Sequence, residues 1–281
     1  RGIFDIQNTE NASYLLRRLR SEKTNFEIEQ IRACARKHEE VYKQIPSVYK
    51  KGMTDIELQI EIERLMRLHG SLGIFRSYGD NMDIYMGSLL TGDNAGKASP
   101  YDYALGGGGT SPILPLGASG EKLKSGNTIM VDMAGNYSPW MTDMTRVFSV
   151  GKTSELAYKA HQVSRDIQEI ILATAKSGTA CADLYNIALE KVKENNLEDY
   201  FMGTELQAKF IGHGVGLEIN EMPVLTPRSK EILLENTVFA LEPKFVIPGI
   251  GAVGIENTIL VKADGLEKIT NLEEAIIELE D

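Results

Sequence analysis

Five residues have the types and spacing to hold a cation together: Asp132, Asp143, His213, Glu242 and Glu256. Asp132 and Asp143 are equidistant from the Tyr137-Ser138 centre of one turn-rich segment, and Glu242 and Glu256 from Gly249 in another. If each segment is a hairpin without a bulge, the members of each pair are cross-strand neighbours. Opposed residues of an antiparallel pair project to the same face. Both first members end apolar runs, Ile129-Met130-Val131-Asp132 and Phe239-Ala240-Leu241-Glu242. Like charges in a buried sheet are costly unless neutralised, and a bound cation is the usual remedy. The alternative is solvent-facing acids at strand ends, paired with Arg146 or Lys244, and it would have to hold for two matched pairs at once. His213 lies in Ile211-Gly212-His213-Gly214-Val215-Gly216, where flanking glycines allow close backbone approach. Four carboxylates and an imidazole suit Mn, Co, Fe or Zn better than calcium. His38, His69 and His161 fall on expected helices without acidic partners at ligand spacing and are read as packing or surface residues.

The elements that must carry these residues recur in a fixed order. A helix is expected from Thr24, where Thr24 and Glu27 have capping-box spacing, with Pro46 and Gly52 marking its end. A second starts at Thr54, with Glu57 completing the box, and runs to about Gly70. Residues 71–125 are rich in glycine, serine and proline and read as loop with short strands. Strands at residues 128–133 and 142–150 then form the first hairpin. The second half repeats this: helices at 154–175 and 180–195, a glycine-containing mixed region, and a hairpin with strands near 237–245 and 252–261. The offset is about 110 to 126 residues, and Asn127-Thr128-Ile129 is echoed by Asn236-Thr237-Val238. The expectation is one pseudo-symmetric α+β domain, two α/β halves whose acidic hairpins meet in a central antiparallel sheet.

Composition narrows the function class. The net charge of −10 argues against a nucleic-acid surface, which needs a basic excess or stripe. No apolar run reaches the roughly 20 residues of a membrane helix, and the chain does not open on a signal segment. Cys34 and Cys181 lie far apart and form no CxxC pair, so two buried or half-buried thiols in a reduced, cytoplasmic setting are expected. The chain begins at Arg1 rather than a methionine. Residues 1–21 are therefore expected to be a linker from a preceding N-terminal domain, with residues 22–281 forming the catalytic domain.

In order and spacing, Val131-Asp132, Thr142-Asp143-Met144-Thr145-Arg146, Ile211 to Glu218 with His213, Leu241-Glu242-Pro243 and Ile255-Glu256-Asn257-Thr258 resemble the creatinase/prolidase/methionine aminopeptidase superfamily. The resemblance spans about residues 22 to 275 and is nearest to the Xaa-Pro dipeptidase and aminopeptidase branch. It implies the pita-bread fold, a homodimer, and two divalent metal ions on Asp132, Asp143, His213, Glu242 and Glu256. It also implies a bridging water or hydroxide that attacks the carbonyl of a short peptide or small amide, with Glu242 handling the proton.

Three positions depart from that pattern. The histidine seven residues after the ligand histidine is Asn220, which can donate to an oxyanion but cannot shuttle protons. The stretch that precedes a second histidine is matched by Thr91-Gly92-Asp93-Asn94-Ala95, which puts Ser99 at the histidine position. The prolidase-type arginine two residues before the last glutamate is Gly254. Catalytic roles are therefore assigned to Glu242, His213 and Asn220. Two alternatives stand beside peptide hydrolysis: the same centre used for creatinase-like or lyase chemistry, or a non-catalytic pita-bread binding module.

Overall fold

The computed structural model describes residues 10–74, 86–98 and 103–281. Helix α1 (Ser13–Ser21) lies inside the stretch expected to be a linker, and it packs on a later strand rather than trailing free. Helix α2 (Asn25–Tyr42) starts where its capping box predicts: the Glu27 carboxylate accepts the Thr24 N–H at 2.8 Å while the Thr24 hydroxyl accepts the Glu27 N–H. After a short turn of helix, α3 (Ile45–Val48), α4 (Asp55–Leu68) opens on the equivalent box at Thr54 and Glu57. Satisfying the exposed first-turn N–H groups in this way makes both starts legible from spacing.

Strand β1 (Gly87–Thr91) leads into a 3-10 turn, and β2 (Thr128–Met133) and β3 (Thr145–Val150) make the first hairpin. Helices α5 (Glu155–Thr174) and α6 (Cys181–Glu194) open the second half. Then come β4 (Gly212–Gly214), β5 (Glu221–Val224), β6 (Val238–Leu241), β7 (Lys244–Ile247), β8 (Gly251–Gly254), β9 (Asn257–Val261), β10 (Leu266–Lys268) and β11 (Ile277–Leu279). One sheet has the order β1-β2-β3-β11, the other β10-β9-β6-β4-β5, with β7 and β8 as a separate ribbon. The antiparallel triplets β1-β2-β3 and β4-β6-β9 are the expected repeat. Their helices pack alike, α2 and α4 with Ile129, Val131 and Phe148, and α5 and α6 with Phe239, Leu241 and Ile259. The short strands β5, β10 and β11 were not foreseen. They carry no alternating pattern and exist because longer strands offer them an edge.

The two hairpins keep different registers. In the second, Val238 pairs with Leu260, Leu241 with Asn257, Lys244 with Gly254 and Ile247 with Gly251, all centred on Gly249. Glu242 and Glu256 are thus in register, as expected, at the break between two ladders. There Pro243 has no N–H to donate, and α5 supplies the missing partners. The Ser164 hydroxyl donates to Pro243 O at 2.6 Å and accepts from Ile255 N at 3.0 Å, while Gln168 Nε2 donates to Leu241 O and Ile255 O. The first hairpin pairs Asp132 with Thr145 and Gly135 with Thr142, which moves its centre one residue past that expected. Asp143 is therefore diagonal to Asp132 and not opposite it. The face is still shared because diagonal neighbours lie on one side of the sheet. The β7–β8 ribbon crosses to the other half, where Thr128 N donates to Ile250 O at 3.0 Å.

Gly254 sits at that break with φ +126°, and a Cβ there would lie 2.6 Å from Pro243 O and 2.9 Å from the Lys244 Cα. Gly249, at φ +74°, has nothing within 4 Å of its Cβ position. Gly254→Ala should therefore cost about 2 kcal/mol or more of unfolding free energy, against roughly 1 kcal/mol for Gly249→Ala. Urea denaturation of the two variants measures both, and equal costs would contradict the account.

His161 of α5 reaches the same break. Its Nε2 contacts Glu274 O at 2.6 Å and its Nδ1 accepts the Gly254 N–H at 3.2 Å, so a second proton has no place to go. Burial drives its pKa down to about 4 despite the Glu274 carbonyl. A folded pKa below the unfolded value near 6.5 means that the unfolded chain binds more protons between them. Stability is complete above about pH 6.5 and is lost as pH falls toward 4. From pH 7 to pH 5 this one group should remove about 1–2 kcal/mol. In denaturation curves at the two pH values, His161→Gln should shrink the difference by that amount.

Candidate metal centre

The sheets bring the five expected ligands to one place. Asp132 is the fifth residue of β2, Asp143 precedes β3, His213 is the middle of β4, Glu242 follows β6 and Glu256 precedes β9. All five line one pocket, which Asn220 also reaches from the β4–β5 connection. The glycines beside His213 are required by crowding: a Cβ at Gly212 would meet Ala240 O at 2.3 Å, and one at Gly214 would meet Met222 O at 2.1 Å. Only side-chain-free residues let β4 run between β5 and β6 there.

The donors fall into two groups whose ligand atoms lie within 4.8 Å of one another: Asp143, His213 and Glu256, and Asp132, Glu242 and Glu256. His213 Nδ1 contacts Gly214 O at 3.1 Å, which leaves Nε2 facing the acids, 3.3 Å from Glu242 Oε1 and 3.8 Å from Asp143 Oδ2. The fully buried Lys244 enters the second group. Its Nζ donates to Asp132 Oδ2 at 2.8 Å, Glu242 Oε2 at 2.7 Å and Glu256 Oε2 at 3.1 Å. Glu256 Oε2 also accepts the Thr145 hydroxyl at 2.7 Å, whereas Glu256 Oε1 is buried with no partner among the described residues.

The solvent-facing alternative fails for Asp143, Glu242 and Glu256, which are 7%, 3% and 1% exposed. Its suggestion of Lys244 as a partner holds, but inside the site. Sequence reading missed that placement; the signal was a lysine two residues past a ligand on an otherwise apolar strand, Lys244-Phe245-Val246-Ile247. Arg146 is buried as well but serves the backbone, donating to Thr145 O, Glu256 O, Leu272 O and Glu273 O and to Asn257 Oδ1. It ties β3 to the start of β9.

The electrostatics divide along the same line. Burial works against the charge on Glu242, but Lys244 and His213 outweigh it and hold the carboxyl down at about 2. Burial likewise opposes an ammonium at Lys244, and Asp132, Glu242 and Glu256 overcome it and raise its pKa. Burial, reinforced by Glu256 and Asp132, pushes Asp143 well up. Glu256 goes up to about 8 through burial and the neighbouring acids, in spite of Lys244. His213 is disfavoured as a cation by burial, yet Glu242 raises it above its ordinary value. The two acids whose pKa goes up, Asp143 and Glu256, both belong to the first group, which the ammonium touches only through Glu256 Oε2. With the unpartnered Glu256 oxygen, that group fits a divalent cation through one nitrogen and two carboxylates.

The remaining expected positions sort clearly. Asn220 is half-buried beside Ile219 at the cavity wall. Ser99 lies outside the described residues. Asn94 supports the glycine-rich loop, accepting from Gly108 N and donating to Gly117 O. At Gly254 no side chain fits without a clash, and Lys244 stands opposite it on the ladder. His38 and His161 are buried packing residues and His69 caps α4, so His213 is the only histidine lining the cavity among the described residues. The apolar wall of Phe210, Leu105, Leu116 and Tyr103 comes mainly from loops with no motif to announce them.

Comparison with known proteins agrees with this architecture. The model of metallopeptidase family M24 matches residues 29–263. The Xaa-Pro dipeptidase of Pyrococcus furiosus is 28% identical over 265 residues, covering 94% of this chain and 67% of that protein. The X-Pro aminopeptidase structure from Thermotoga maritima superposes with a TM-score of 0.78 at 26% identity, covering 95% of this chain and 67% of that one. A methionine aminopeptidase from Thermotoga maritima, 20% identical, shares the fold with a TM-score of 0.66 over 89% of this chain and 98% of its own. The chain thus spans about two thirds of the length of the dipeptidase and the X-Pro aminopeptidase. With its pita-bread fold, its repeated hairpins and the family match over most of its length, the chain belongs to metallopeptidase family M24, in the Xaa-Pro dipeptidase and aminopeptidase branch.

Proposed function

We propose that this chain is a metal-dependent hydrolase of the Xaa-Pro dipeptidase or aminopeptidase type, acting on a short peptide or small amide. The observation that carries this reading is the cavity that gathers Asp143, His213, Glu256, Glu242 and Asn220 under an apolar wall. A divalent ion held by Asp143, His213 and Glu256 would polarise a carbonyl and make water acidic enough to lose a proton near neutral pH. The residues of the chain do the rest. Glu242, kept ionised by Lys244 and His213, takes up the proton from the attacking water. Asn220 donates its amide N–H to the oxygen that gains charge. Phe210, Leu105 and Leu116 exclude water and receive a small apolar side chain such as proline.

Manganese is the first ion to try, with cobalt, zinc and iron as the others that suit this donor set. A cytoplasmic setting and a homodimer belong to the same proposal. The setting is supported by two buried, unpaired cysteines. No helix among the described residues is long and apolar enough to cross a membrane. Asn220 favours one second reading, creatinase-like or lyase chemistry on a non-peptide substrate, because that position lacks an imidazole to move protons.

An Xaa-Pro dipeptide and tripeptide panel with metal-loaded protein tests the proposal. Release of the N-terminal residue is expected, falling about 10²- to 10⁴-fold in Glu242→Ala. Asn220→Ala should lower kcat by about a hundredfold with KM changed much less, since it removes an interaction made at the developing oxyanion. No release above the Glu242→Ala background would rule out peptide hydrolysis, and turnover of a non-peptide amide in the same protein would favour the second reading.

A further inference from the structure

The resemblance implies two divalent ions, but an ammonium already stands among the donors of one of the two places. An ion in the second place would need oxygens from Asp132, Glu242 and Glu256. Each of these acids already gives an oxygen to Lys244 Nζ, at 2.8, 2.7 and 3.1 Å. An ammonium has three N–H donors and no acceptor, and three carboxylate oxygens satisfy all of them. A metal would bind such carboxylates at about 2.0–2.2 Å, nearer than the ammonium, and two cations would then be crowded against the same three acids. Lys244 also has nowhere else to point. Its side chain is fully buried, and it does not line the cavity, so its ammonium meets the carboxylates from behind. Opposite it on the ladder stands Gly254, whose missing side chain leaves the space that the lysine backbone occupies. The first group differs. Among the described residues no ammonium contacts Asp143 or His213, and Glu256 keeps Oε1 buried and unpartnered.

The geometry points to a single-ion centre, in which the Lys244 ammonium permanently fills one of the two cation places and one divalent ion is held by Asp143, His213 and Glu256. The inference rests on the reading that the site takes a metal at all. It assigns Lys244 a positioning role, orienting Glu242 and Asp132 as a second ion otherwise would. It also makes Asp132 a lysine partner here and removes it from the ligand set.

Metal content separates the possibilities without recourse to activity. Chelator-treated protein is saturated with Mn2+ and desalted, and bound manganese per chain is counted by mass spectrometry while electron paramagnetic resonance reports whether ions are coupled. Wild type should hold one ion per chain with the six-line spectrum of an isolated Mn2+. Asp132→Asn should still hold one, and His213→Ala should weaken binding at least about a hundredfold. Lys244→Gly, which frees three carboxylate oxygens and opens space, should take up a second ion and give a spin-coupled spectrum. Should that variant fail to fold, wild type and Asp132→Asn decide the matter. Two coupled ions in wild type, or loss of one ion in Asp132→Asn, would overturn the single-ion centre and leave the hydrolase reading intact. No bound manganese in wild type would defeat the metal reading itself and the single-ion centre with it.

Discussion

Four carboxylates packed within reach of each other below the surface are the constraint around which this molecule is organised. At an effective dielectric near 20, two unit charges 4 Å apart repel by about 4 kcal/mol. Leaving four such groups unneutralised would consume a large part of the 5–15 kcal/mol that typically separates a folded domain from its unfolded chain. The fold answers with positive charge from two directions. Lys244 comes from the protein interior and donates one N–H each to Asp132, Glu242 and Glu256. The imidazole of His213 comes from β4 of the second half and faces Glu242 and Asp143.

Much of the surrounding structure exists to hold this arrangement. The second hairpin breaks where its two glutamates sit, because Pro243 has no N–H to give to a ladder. The polar groups so released are taken up by Ser164 and Gln168 on α5 and by Arg146 from the first hairpin. A buried arginine that donates to four carbonyls and an amide oxygen is an expensive way to fasten two strands unless their relative position matters. Here it fixes the distance between the half that supplies Asp132 and Asp143 and the half that supplies Glu242 and Glu256.

The chemistry follows from asymmetry within the cluster. Glu242 is held ionised by two cationic neighbours, whereas Asp143 and Glu256 are left short of positive charge. That separation of roles among like residues is what a hydrolytic centre needs: one group that carries a proton and others that carry an ion. Asn220 adds a donor without an acid–base function, and the loops around Phe210 and Leu116 supply shape.

Several features were legible in the chain alone. The capping boxes at Thr24 and Thr54, strand β2 to the residue, the repeat of elements and the in-register pair Glu242 and Glu256 all follow from local rules. Such rules need only a residue's neighbours in sequence: hydrogen-bond geometry at a helix start, side-chain alternation along a strand, a symmetric turn around Gly249. The one-residue shift of the first hairpin was not legible, because its turn is set by the bridge between Gly135 and Thr142 and by contacts of that loop with the other half. Strands β5, β10 and β11 were invisible for a similar reason, being short segments recruited by existing edges. The place of Lys244 was decided by tertiary structure most completely of all. Its charge and position two residues past Glu242 could be read, but its direction depends on the break at Pro243, the bare backbone of Gly254 and an acid from the opposite half. A lysine on a strand points to solvent or to the interior according to what the rest of the fold offers it, and here three carboxylates offered more than water.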